Sequence, residues 1–122
     1  MKIRIQGNSI RVRLSKSEVL QLGQTGLIQE STSFGNSLFE YAVKKNSDHD
    51  ELHADYVQNK ITLYVPTHFV EHWATNDVVG LSSKMLIEGE QELKLLIEKD
   101  FKCLDNPLED QSDNYENPKT TC

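Results

Sequence analysis

Cysteine is nearly missing from this chain, with only Cys103 and Cys122 among 122 residues. Two thiols build no disulfide framework, so folding rests on an apolar core. The pair leaves open free thiols, a bridge between them, or a metal site completed by Asp or His. Zinc sites, however, usually bring close paired ligands, as in Cys-x-x-Cys. Also missing is any apolar run approaching the roughly 20 residues needed to span a bilayer, so no membrane role is expected. No Gly-rich loop of the Walker or dinucleotide type occurs, and no Ser-His-Asp set can be argued. No cofactor is implied. The apolar share is low, at 37%, and part of the deficit lies in the polar C-terminal stretch. Met1 leads straight into a strand-like segment, which leaves no room for a secretory signal; the expected compartment is the cytoplasm.

What the chain does have is a weak internal duplication. Residues 8–14 (NSIRVRL) align with 59–65 (NKITLYV) at an offset of 51, and the register continues from Val19 to Val70 and from Leu22 to Trp73. Strict alternation over 2–6 and 10–14, with Gly7-Asn8 between them, reads as a β-hairpin. Ser15 and Glu18 have the spacing of a capping box, and a helix over 16–22 should stop at Gly23. Strands are expected over 27–33 and 37–44. After a polar break at 46–50 the plan recurs: a hairpin over 52–65, a helix from 66 or 67 to 74, strand segments at 78–81 and 85–87, and a returning strand over 92–99. The expected fold is therefore mainly β (α+β). Two pseudo-repeated ββαββ units, 1–45 and 51–99, form one intertwined barrel, a single domain spanning 1–99. An acidic C-terminal tail covers 100–122. Neither half holds enough apolar residues to close a core alone. The shared core should take Ile3, Ile5, Ile10, Val12 and Leu14 with Tyr56, Ile61, Leu63 and Val65, plugged by Val19, Leu22, Phe69, Val70 and Trp73.

The matched stretches 7–28 and 59–79, each a turn, an alternating strand, a capped helix and a strand, resemble the swapped-hairpin barrels of AbrB-, MazE- and especially MraZ-like proteins. The resemblance implies a DNA-binding transcription regulator or antitoxin, although the Asp-x-x-x-Arg signature of MraZ-like proteins is absent. The ending, 98–105 (EKDFKCLD) followed by 109–113 (EDQSD), Asn117-Pro118 and Cys122, is similar to that of an uncharacterised family of small bacterial proteins. That likeness implies a lineage and no chemistry.

Charge is unevenly spread. Residues 1–45 hold seven Lys and Arg against three Asp and Glu; residues 46–99 hold four against ten, and 100–122 two against six. Alternate strand residues share a face, so Lys2, Arg4, Arg11 and Arg13 should project together, with Lys16 following at the helix start. Opposed like charges on neighbouring strands repel, so such a face wants a counter-charge. It could hold an acidic protein or anionic ligand, contact DNA phosphates, or pair with the chain's own carboxylates. The tail offers Asp105, Glu109, Asp110, Asp113 and Glu116, and could lie across the hairpin as a latch. In the second half the equivalent positions are His53, Asp55, Thr62 and Tyr64, so only one side would be basic. A symmetric reader of a palindromic site would then need a homodimer. The reading is a non-enzymatic binding or regulatory module, with an acidic or anionic partner favoured over nucleic acid.

One metal pattern stands out. Residues 68–72 (HFVEH) fit the His-x-x-Glu-His of inverted zincins and place His68 and His72 on one helix face. The helix is barely two turns and no third ligand follows, so solvated histidines are the simpler expectation.

Overall fold

The computed structural model describes residues 1–101 and 112–116. Among them, eight strands and two helices follow in order: β1 (Lys2–Ile5), β2 (Ser9–Leu14), α1 (Lys16–Thr25), β3 (Leu27–Ser33), β4 (Leu38–Asn46), β5 (His53–Val57), β6 (Lys60–Pro66), α2 (Thr67–Trp73), β7 (Gly80–Leu86) and β8 (Glu92–Lys99). The fold is mainly β, and both halves of the chain run strand, strand, helix, strand, strand. No described helix is long and apolar enough to cross a membrane.

The strands form two four-stranded sheets, ordered β1-β2-β8-β7 and β3-β4-β6-β5. Each hairpin is antiparallel within itself, whereas the central joints β2–β8 and β4–β6 are parallel. Each sheet thus takes one hairpin from either half of the chain. Parallel neighbours cannot be joined by a tight turn, and here much of the chain separates β2 from β8. The ladders of the two sheets are separate, so the closure expected of a barrel is not among the pairings of the described residues.

Alternation dictates the inner face. Val12, Leu14, Leu95 and Ile97 of one sheet meet Val43, Leu63 and Val65 of the other, and Val19, Leu22, Val70 and Trp73 enter the same core from the helices. Trp73 is fully buried, and its Nε1 donates to the Val78 carbonyl at 2.8 Å, which satisfies the one polar group the indole brings inside. Of the expected core residues, Ile3, Ile10 and Phe69 are half-buried against it, and two are exposed: Ile5 and Tyr56, at 55% and 63%. Each sits toward the turn end of an edge strand, β1 or β5, where no further strand flanks it.

Glu18 accepts from the Ser15 amide at 3.0 Å, as the capping-box spacing requires. The helix, however, continues past Gly23 to Thr25 and is closed by Gly26, whose φ of 79° is the left-handed value a glycine takes without strain. Gly23 instead lies where α1 passes α2, and a Cβ there would meet the Val70 carbonyl oxygen at 3.8 Å. Strand β7 also starts later than the expected segment at 78. Val78 and Val79 stay outside it, with Val78 held by Trp73 and the Val79 carbonyl accepting from the Lys99 amide at 2.9 Å.

Candidate functional site

The hairpin β1–β2 places Lys2 opposite Arg13 and Arg4 opposite Arg11. All four residues are on the outer face of their sheet, because Ile3, Val12 and Leu14 take the inner one. They line, with Ile3, a concavity of about 190 Å³. The parallel neighbour β8 sets Glu98 opposite Arg13 and Leu96 opposite Arg11. Arg13 Nε donates to Glu98 Oε1 at 2.9 Å, and Arg11 Nε lies 3.7 Å from the same oxygen. Lys2 Nζ reaches Asp100 Oδ2 at 3.1 Å. These three contacts bring carboxylates to the hairpin from β8 and the residue after it.

The same pairing brings in two cations that sequence reasoning missed. Lys94 precedes Leu96 and Glu98 on the outer face of β8, and β7 sets Lys84 directly opposite it. Six cations, Lys2, Arg4, Arg11, Arg13, Lys84 and Lys94, thus share one face built from all four strands, with the carboxylates of Glu92 and Glu98 among them. Arg4, Lys84 and Lys94 are exposed and make no ion pair among the described residues. With strands spaced about 4.8 Å apart, the band from Arg4 through Arg11 and Lys94 to Lys84 crosses about 14 Å of sheet. The only sequence signal for the two lysines was strand alternation over 80–99, and the partner of that strand could not be read from it.

The remaining candidates lie elsewhere. Lys16 is at the start of α1, its Nζ 5.8 Å from the Tyr115 ring, and its amide donates to the Asp113 carbonyl at 3.0 Å. Asp113 does not meet the basic hairpin. Its carboxylate accepts from the Ser17 hydroxyl at 2.5 Å and the Ser17 amide at 3.3 Å. Those bonds, with a further one from Ser15 and the charge of Lys16, hold the Asp113 carboxyl below the usual carboxylate range. Tyr115 bridges to Phe101, and its ring lies 5.0 Å from Lys99 Nζ. Glu116 is exposed at the end of this segment. Asp105, Glu109 and Asp110 lie outside the described residues, and so do Cys103 and Cys122; the latch and the cysteine pair fall there.

On the other sheet, His53, Asp55, Thr62 and Tyr64 occupy the equivalent outer positions. The Tyr64 hydroxyl donates to Asp55 Oδ2 at 3.0 Å, and this bond, with burial, pushes the phenol up. That face is not basic. His68 and His72 are both exposed on α2, and no group of three or more His, Cys, Asp or Glu that could hold a metal occurs among the described residues. A second, wider cleft of about 580 Å³ lies between residues 49–53 and 84–86, with His49 and His53 stacked at 4.5 Å and Lys84 on its rim.

Comparison with known proteins places the chain in a lineage. The model of a protein family described as "Family of unknown function (DUF7009)" matches residues 1–119, and the chain belongs to that family. No curated protein and no solved structure matches.

Proposed function

We propose that this member of a family of unknown function is a non-enzymatic binding module whose basic sheet face takes an anionic partner. The observation that carries this reading is the convergence of Lys2, Arg4, Arg11, Arg13, Lys84 and Lys94 on one face, drawn from strands distant in sequence. Arg4 against Arg11 and Lys84 against Lys94 are like charges placed directly opposite, an arrangement that costs stability in the free protein. A bound anion offsets that cost, and the clustered field raises its local concentration. In this reading residues 1–99 form the binding domain and 100–122 an accessory segment.

A second reading is a DNA-binding regulator or antitoxin of the AbrB or MraZ kind. The interleaving of hairpins from the two halves favours it. Against it, the equivalent face of the other sheet carries His53, Asp55, Thr62 and Tyr64, so two half-sites could be served only by a homodimer.

The test is amide chemical-shift perturbation on adding polyglutamate, polyphosphate or duplex DNA at low salt. Shifts confined to the outer face of β1, β2, β7 and β8, lost in an Arg4→Ser/Lys84→Ser/Lys94→Ser variant, support an anion-binding face. No shift with any of the three would remove the proposal.

A further inference from the structure

We infer that the partner of this face is an extended acidic polypeptide, and that Glu98 occupies the position of one of its carboxylates until it binds. This rests on the anion-binding reading above and specifies it. The first of three observations shows that the face accepts a carboxylate, and the other two favour a polypeptide over a nucleic acid.

First, the geometry already holds a carboxylate. Glu98 Oε1 lies 2.9 Å from Arg13 Nε and 3.7 Å from Arg11 Nε, so two guanidinium groups converge on one carboxylate oxygen. Charge-assisted bonds of this kind give guanidinium groups their fit to carboxylates.

Second, among the described residues the outer face of the four strands carries no aromatic side chain. Between and beside the cations stand Ser9, Ser82, Leu86, Leu96 and Gly80, all from the same alternating set. Binding of single-stranded nucleic acid relies on aromatic platforms for its bases, and these strands offer none. Leu96 at the centre and Leu86, 73% exposed at one corner, instead provide apolar contacts for polypeptide side chains.

Third, charge density matters. Duplex DNA carries one negative charge per about 1.7 Å, so a chain of net charge −6 repels it more strongly at long range than a peptide of sparser charge. An extended peptide with carboxylates on alternate residues spaces them about 6.8 Å apart. Lys2 and Arg4, or Arg11 and Arg13, two residues apart on their strands, repeat at the same interval.

The consequence is competition. Arg4, Lys84 and Lys94 make the first encounter, and the incoming carboxylate then displaces Glu98 from Arg11 and Arg13. Affinity is set partly by what Glu98 gives up. Exposed ion pairs contribute up to about 1 kcal/mol, so removing the Glu98 charge should tighten binding by about three- to fivefold.

The experiment is fluorescence anisotropy at low salt with the full chain. One probe is a labelled peptide of alternating Glu and Thr; the other is a labelled random-sequence duplex. The proteins are wild type, Glu98→Gln and Arg4→Ser, each checked for native fold by its amide spectrum. The expected result is peptide binding that strengthens about three- to fivefold in Glu98→Gln, weakens in Arg4→Ser and exceeds binding of the duplex. Tighter binding of the duplex, or peptide affinity unchanged or reduced in Glu98→Gln, overturns the inference while leaving an anion-binding face in place. No binding of either probe by any of the three proteins overturns the anion-binding reading as well.

Discussion

Arg13 and Glu98 stand 85 positions apart in the chain, yet they face each other across the parallel joint of β2 and β8 with Nε 2.9 Å from Oε1. Neither residue announces the other in the sequence. Their pairing is what turns a basic hairpin into a basic sheet face with a built-in counter-ion. The Arg13 side chain is 42% exposed, so solvent screens the pair. A double-mutant cycle of Arg13→Ala and Glu98→Gln, read by urea denaturation, should return a coupling of no more than about 1 kcal/mol. A larger value would mean that the pair serves stability before binding.

Gly23 and Gly26 should respond oppositely to alanine. Gly23 is inside α1 with room for a Cβ at ordinary contact distance from the Val70 carbonyl. Replacing a helical glycine there should stabilise the protein by up to about 1 kcal/mol. Gly26 has a φ of 79°, which alanine adopts only with strain, so Gly26→Ala should destabilise it by about 1 kcal/mol. Thermal melts of the two variants check the sign of each.

Gly80→Ala should be worse than either. Its Cβ would fall 2.2 Å from the Ile97 carbonyl oxygen and 2.9 Å from the Glu98 Cα, both backbone atoms that yield only if β7 moves away from β8. Overpacking of this kind costs about 1–3 kcal/mol. A lowered melting temperature, accompanied by shifted amide resonances along both strands, is the expected outcome.

Lys99 links the core to pH. It is buried, its Nζ donates to the Asn76 carbonyl at 2.7 Å, and it lies over the rings of Trp73 and Tyr115. Burial lowers its pKa, with Asp77 opposing. The folded value therefore lies below the unfolded one of about 10.4. Between the two the unfolded chain binds more protons, so this residue's contribution to stability rises with pH in the alkaline range. Lys99→Met should abolish that rise in denaturation midpoints measured up to about pH 9.5, before tyrosines titrate. A wild-type slope equal to that of the variant would contradict the assignment.

Asp113 gives the opposite pH dependence. Ser17 and Ser15 hydroxyls lower its folded pKa, so the docking of residues 112–116 on α1 is complete above the ordinary Asp value of about 3.9. It is lost as pH falls through the lowered folded value. Hydrogen exchange of the Lys16 and Tyr115 amides, which donate to Asp113 and Asp100, should accelerate there and should already be fast in Asp113→Asn at neutral pH. Protection that is indifferent to pH and to the variant would show that other contacts hold the segment.

Much of the local structure is legible in the chain because it depends on near neighbours. Alternation over 2–14 and 52–65 fixes which residues face inward, Ser15 and Glu18 start α1, and the apolar spacing of Val19, Leu22, Val70 and Trp73 marks the helix faces that enter the core. The basic side chains of the first hairpin and their shared face follow from the same period of two. The helix end at Gly26 instead of Gly23 does not, because either glycine can terminate a helix and the contact with α2 favours continuing past the first. Exposure of Ile5 and Tyr56 is likewise invisible, since it depends on β1 and β5 falling at the edges of their sheets.

The sequence by itself determined the elements, the one-sided basic charge and the need for two halves to share a core. Only the tertiary structure decided that β2 lies beside β8, that Lys84 and Lys94 complete the basic face, and that Glu98 meets Arg11 and Arg13 while Asp100 meets Lys2. The physical reason is that period and capping are interactions between residues a few positions apart, whereas the parallel joint is chosen by the fit of two distant hairpins over a common core.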